Sequence, residues 1–161
     1  MSTPDDSAFA ATIPFATTSR VRDSCLCLHA QRAARALARR FDTALRPLGL
    51  TNGQFSLLMA LNRPDPADLS GVASLLAMDR TTLTAALKPL QRQGLIDIRA
   101  VARDRRVRVL ALTAAGTVLL AKAVPVWEET HAAAEAVLGQ ADTQRFRRDL
   151  ATLSAGLAAG G

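Results

Sequence analysis

Residues 79–116 read DRTTLTAALKPLQRQGLIDIRAVARDRRVRVLALTAAG, and a change of period inside this stretch decides the fold. Leu83, Leu87 and Leu90 recur at helical spacing. Asp79 stands where an N-cap is needed, and Gly94 stands where the helix must stop. The spacing therefore predicts a helix over 80–93 with a leucine face. Arg80, Thr81, Thr82, Thr84 and Lys88 fall largely off that face. Pro89 lies inside the helix and should kink or tighten its last turn. After Gly94 the period becomes two. Residues 95–99 and 107–112 read as strands, joined by a tip that holds Arg103, Asp104, Arg105 and Arg106, with Arg108 just beyond.

Upstream, Thr51-Asn52-Gly53-Gln54 has the pattern of a capping box, and Phe55, Leu58 and Met59 follow at helical spacing. Arg63-Pro64-Asp65-Pro66 ends that helix. A short helix over 68–76 follows, with Leu69, Val72, Ala73 and Leu76 inward. Only Ala77-Met78 separates it from Asp79. Helix, helix, tight turn, helix and basic hairpin make a winged helix-turn-helix.

The flanks are helical as well. Leu26, Ala30, Ala33, Leu37, Phe41 and Leu45 give one apolar stripe, stopped by Pro47 and Gly49. One helix of about 27 residues from Arg20 would be roughly 40 Å long, more than a small core can cover on one subunit. The stripe therefore points to a partner copy. Thr113 caps a helix that reaches about Leu138, with Pro125 as a bend. Asp142 caps a last one, in which Phe146, Leu150, Leu153 and Leu157 line up. The expected fold is mainly α with a small β-hairpin wing. Residues 1–19 are expected to form a flexible N-terminal arm, 20–50 and 113–158 a helical dimerisation region, and 51–112 the winged helix-turn-helix DNA-binding domain.

Composition limits the function classes. The chain has 161 residues, 49% hydrophobic, with a net charge of +6. This suits one domain, or one domain with an oligomerising extension. Two cysteines in C-x-C spacing make neither a disulfide framework nor a structural zinc site. No apolar run approaches the roughly 18 residues of a membrane span. No nucleophile elbow, phosphate loop or His-Glu metal motif is present, so no catalytic residue, metal or cofactor is expected. His29 and His131 have no metal partner at ligand spacing. The positive balance favours a polyanion, and its placement favours DNA. A helix N-terminus binds phosphate, Arg80 can read guanine with two bonds, and an arginine-rich tip fits a minor groove. The reading is a cytoplasmic regulator on double-stranded DNA.

The segments Asp79-Arg80-Thr81-Thr82-Leu83-Thr84, Leu87-Lys88-Pro89-Leu90, Gly94-Leu95-Ile96, Asp104-Arg105-Arg106-Val107-Arg108 and Leu112-Thr113-Ala114-Ala115-Gly116, in this order and spacing, resemble the MarR family of bacterial transcriptional regulators. Gly49-Leu50-Thr51 with Gln54-Phe55 is similar to the start of that family's second helix. The likeness covers most of the chain, from Cys25 to Leu157. It implies a homodimer on a roughly palindromic operator, usually a repressor, released by a small aromatic or amphipathic ligand. Carried over by position, Arg80, Thr81, Thr82, Thr84 and Lys88 would contact the major groove. Arg105 and Arg106 would serve the wing, with Asp104 orienting an arginine. If a ligand pocket exists, Leu28, Phe55, Met59 and Trp127 are its expected lining.

Three alternatives stay open. One branch of the family senses organic hydroperoxides through a cysteine near the start of its first helix, which makes Cys25 and Cys27 candidates for a thiol switch. That branch holds its cysteine with tyrosines, and this chain has none. The other two readings are a sequence-independent DNA-binding protein and a protein-interaction winged helix.

Overall fold

The structure is a computed structural model that describes residues 13–101 and 104–158, with side chains described over 13–100 and 108–157. Two compact units divide between Leu37 and Ala38. The first carries helix α1 (Phe15–Ser24) and the start of α2 (Leu26–Leu45). The second carries the rest of α2, a 3-10 turn (Arg46–Leu48), α3 (Asn52–Leu61), β1 (Ala67–Asp68), α4 (Leu69–Leu75), α5 (Arg80–Arg92), β2 (Ile96–Val101), β3 (Asp104–Leu112), α6 (Ala114–Ala136) and α7 (Thr143–Ala158).

The structure adds detail to one expectation about the amino-terminal part and corrects another. Within the segment read as an arm, α1 begins at Phe15, after Pro14 as its N-cap (φ −58°, ψ 138°). The single helix from Arg20 is broken at Cys25, whose backbone is extended (φ −75°, ψ 106°). Local hydrogen bonds account for the break. The Ser24 hydroxyl donates to the Arg20 carbonyl at 2.6 Å, and the Cys25 sulfur accepts the Leu28 N–H at 3.4 Å. One helix is thereby closed and the next opened. At 20 residues α2 is about 30 Å long.

The second unit is built as the capping signals require. The Thr51 hydroxyl accepts the Gln54 N–H at 3.2 Å, and the Gln54 side chain accepts the Thr51 N–H at 2.9 Å. Asp68, Asp79, Thr113 and Asp142 each accept a backbone N–H three residues on, opening α4, α5, α6 and α7. Neither Pro89 in α5 nor Pro125 in α6 ends its helix. The core gathers Leu45, Leu58, Val72, Leu83, Leu87, Leu90 and Leu110, all fully buried. Each leucine contributes about 1.5–3 kcal/mol on burial.

The expected hairpin is one part of a three-stranded antiparallel sheet of order β1-β3-β2. Ala67 pairs with Leu110, and Asp68 with Val109. A two-residue strand has no period of its own, so only the pairing reveals it. In the hairpin Ile96 faces Leu112 and Ile98 faces Leu110, which puts these four on the core side.

The turn between α4 and α5 is closed by Met78 N–H on the Ala73 carbonyl (2.9 Å) and Ala77 N–H on the Ser74 carbonyl (3.2 Å). This is a Schellman motif, and it puts Ala77 at φ 50°. A left-handed L-residue costs roughly 1–2 kcal/mol there.

The root of the wing is tighter still. Thr113 N–H donates to the Leu95 carbonyl at 3.1 Å, while the Thr113 hydroxyl donates to the Gly94 carbonyl at 2.6 Å. Gly116 then passes so close that an added Cβ would lie 2.0 Å from the Leu95 oxygen. In an ordinary helix glycine to alanine is stabilising by about 1 kcal/mol. Here the sign reverses. Gly116→Ala is expected to destabilise by about 1–3 kcal/mol or more in urea unfolding, and a gain of stability would contradict the close approach.

Candidate nucleic-acid interface

The amino-terminal half of α5 is the first part of the site. Leu83, Leu87 and Leu90 bury its inner face and leave Arg80, Thr81, Thr82, Thr84 and Lys88 exposed. The structure thus brings the five expected α5 residues to the solvent side of one helix. Two of them are held by their neighbours. The Thr82 hydroxyl donates to Asp79 Oδ2 at 2.6 Å, beside the Thr82 N–H on Oδ1 at 2.8 Å. The Thr84 hydroxyl donates to the Arg80 carbonyl at 2.7 Å. Both hydroxyls keep their lone pairs for a donor.

Arg80 has a partner that the sequence did not reveal. Its guanidinium donates to the Ser70 hydroxyl at the start of α4. The contact joins residues ten apart across the turn. The tight turn was legible in the sequence, but not the side-chain direction that makes the pair.

Asp79 is an acid on a basic face, and its environment explains how it is tolerated. The Thr82 hydroxyl, and then the Thr82 backbone N–H, hold its carboxyl below the usual carboxylate range. The charge is spent inside the turn, at the helix end where a negative group is favourable.

The hairpin is the second part. Arg108 is exposed and pairs across the ladder with Ala100. The backbones of Asp104, Arg105 and Arg106 open β3, with an irregular register between Ala100 and Val101. Arg103 lies outside the described residues.

The expected pocket residues separate into two groups. Phe55, Met59 and Trp127 line one cavity of about 420 Å³ together with Ser56, Ala60, Leu75, Leu76 and Val124. Leu28 is not among them and belongs to the amino-terminal unit. Three rings lie nearly parallel here. Phe55 and Trp127 have centroids 6.3 Å apart at 17°, and Trp127 and His131 are 4.7 Å apart at 9°. His131 Nε2 is 3.4 Å from a Glu135 oxygen that also receives Arg147 of α7. The Arg147 guanidinium holds the Glu135 carboxyl below its usual range.

In the first unit, Cys25 is half-buried and Cys27 exposed, and both are free thiols. The Gln31 amide donates to the Cys27 sulfur at 3.2 Å. Among the described residues no cluster of His, Cys, Asp and Glu could hold a metal. No described helix is long and apolar enough to cross a membrane.

Residues 48–107 match the model of the MarR family. The transcriptional regulator MosR of M. tuberculosis, solved in complex with DNA, is similar at 41% identity and a TM-score of 0.75 over 84% of this chain and 97% of that one. The transcriptional repressor CouR, solved on a 23-mer DNA duplex and known from Rhodococcus jostii, is 26% identical with a TM-score of 0.66, over 92% of this chain and 99% of that one. The organic hydroperoxide resistance transcriptional regulator of Bacillus subtilis is 29% identical over 101 residues, which are 63% of this chain and 69% of that protein.

The Asp79 cap carries a pH signature. A carboxyl whose folded pKa is depressed adds stability above its unfolded pKa, and that stability is lost as pH falls through the folded value. The melting temperature of the native chain should exceed that of Asp79→Ala by its full margin at neutral pH. The margin should shrink as the pH drops below the ordinary carboxylate range. A margin that stays constant down to pH 2 would sink the charged-cap account.

Proposed function

Because this chain belongs to the MarR family of winged-helix transcriptional regulators, we propose that it acts as a homodimer that places two copies of α5 in successive major grooves of a roughly palindromic operator. The observation that carries this is the α5 face itself, where five polar and basic side chains stand clear of a leucine core. Residues 51–112 are the DNA-binding lobe. Arg80, Thr81, Thr82, Thr84 and Lys88 meet base edges and phosphates, and Arg103, Arg105, Arg106 and Arg108 serve the wing, with Asp104 orienting an arginine. Close relatives crystallised on DNA support the same use of this fold.

The dimer reading rests on apolar side chains that the described residues leave in solvent. Phe146, Leu150, Leu153 and Leu157 of α7 are exposed in a row, as are Leu26 (70%) and Leu37 (46%) on α2. A second copy covering residues 20–50 and 113–158 would bury them. The regulator is a repressor of the cytoplasm, and the aromatic cavity beside Trp127 is its ligand site. Occupancy favours a dimer whose lobes are misplaced for the two grooves.

A second reading of the signal has its own observation. Cys25 interrupts the helix at the start of α2 with its sulfur on a backbone N–H, and Cys27 lies two residues further on, in solvent. The B. subtilis relative named for organic hydroperoxide resistance lends this reading support. Oxidation of a thiol here would alter the junction of α1 and α2.

Two experiments decide. Selection of bound duplexes from random DNA should return a short inverted repeat, and Arg106→Ala should weaken binding to it by about tenfold or more. Steep salt dependence without a selected sequence would mean a sequence-independent binder, and no binding at low salt would leave only a protein-interaction module. For the thiol reading, the Cys25→Ser, Cys27→Ser double variant should keep its operator affinity in the presence of an organic hydroperoxide that releases the native chain. Equal release of both proteins would dispose of the switch.

A further inference from the structure

We propose that Ser70 is a positioning residue for sequence readout, whose hydroxyl aims the Arg80 guanidinium at a guanine edge in the major groove; this rests on the reading of α5 as the helix that enters that groove. The two residues stand on different helices. Ser70 is the second residue of α4 and Arg80 the first of α5. The Arg80 guanidinium donates through Nη2 to the Ser70 hydroxyl. Both side chains are exposed, so the bond lies on the surface offered to DNA.

The chemistry of the partner matters. Where Arg22 meets Asp23, Arg99 meets Asp97 or Arg147 meets Glu135, the charge of the arginine is cancelled locally. Among the described residues no carboxylate pairs with Arg80. Asp79 precedes it, but both Asp79 oxygens are taken by Thr82. A hydroxyl directs the guanidinium and leaves its charge whole. Ser70 occupies one N–H donor, and a fork of two remains for guanine O6 and N7. Ser70 is itself fixed. Asp68 caps α4 through the Gly71 N–H at 2.6 Å, and its backbone pairs with Val109 of β3. The Arg80 backbone is held as well, since its carbonyl accepts the Thr84 hydroxyl at 2.7 Å. An unanchored arginine swings to a neighbouring acceptor when the guanine is replaced, and the wrong sequence then costs little. An anchored one cannot follow, and its donors are left unpaired on the wrong base.

The test measures, by fluorescence anisotropy, binding of the full-length protein to the selected inverted repeat and to duplexes changed at single base pairs. Arg80→Ala identifies the position that Arg80 reads, as the one where the preference for guanine disappears. Replacing that guanine is expected to cost the native protein about tenfold in affinity. Ser70→Ala should cut this penalty by about threefold or more and leave the penalties at other positions, and the melting temperature, unchanged. Ser70→Thr, which keeps the hydroxyl, should restore it. Ser70→Ala added to Arg80→Ala should change nothing further. A Ser70→Ala profile equal to the native one, or affinity lost equally on every duplex, would overturn the positioning role and leave α5 as the reading helix. If Arg80→Ala altered no base preference, the role would fall together with the assignment of Arg80. No selected sequence at all would remove the reading beneath both.

Discussion

The carbonyl of Leu95 and the backbone of Gly116 are in contact, and the lobe is organised around that contact. Leu95 is where the chain leaves α5, and Gly116 lies in the first turn of α6. Everything between them is wing. A Cβ at Gly116 would meet the Leu95 oxygen, so the sequence has none there, and Gly94 turns the chain with φ 69°. Thr113 locks the crossing by using one hydroxyl twice, as donor to Gly94 and as acceptor from Gly116. The hairpin therefore leaves a fixed root, and Ile96 and Leu112 can face each other in register.

The same economy governs the charge of the DNA face. A +6 chain with 14 acids still has to cap its helices with carboxylates. Asp79 stands at the head of the helix proposed to enter the groove, where an unpaired negative charge would oppose phosphate. Its two oxygens are occupied by Thr82, and its charge meets the positive end of the helix. What faces outward is then Arg80, threonine hydroxyls and Lys88.

Much of this was legible in the sequence, and the reason is locality. Thr51 with Gln54, Asp79 with Thr82, and Thr113 with Gly116 are satisfied within three residues, so the pattern is the structure. The leucine face of α5 needs only its own spacing. Other features depend on contacts that a linear reading does not contain. β1 is two residues long and exists because Ala67 and Asp68 meet β3 some forty positions away. The pairing of Arg80 with Ser70 depends on the turn at Ala77, a residue that nothing marks as left-handed. At Cys25 neither proline nor glycine announces the break, and the stripe from Leu26 to Leu45 continues in phase beyond it. The five α5 residues stand on the exposed face that the leucine spacing leaves, and three of the four residues expected around a pocket line one cavity, whereas Leu28 belongs to the other unit.

Asp68 has a double attachment: its backbone is paired to Val109 of β3, and its carboxylate caps α4 at Gly71. The helix pair and the hairpin are consequently fastened at two points, by Asp68 at Val109 and by Thr113 at the foot of β3. Two such attachments favour tilting of the lobe as a whole over bending. Six residues of β2 extend roughly 20 Å from the root, so a tilt of about ten degrees carries the far end by roughly 3 Å, close to the rise of one base pair. The lobe would thus act as a lever with a short arm, and a small rotation at its base would be enough to move the hairpin out of step with the groove proposed for it.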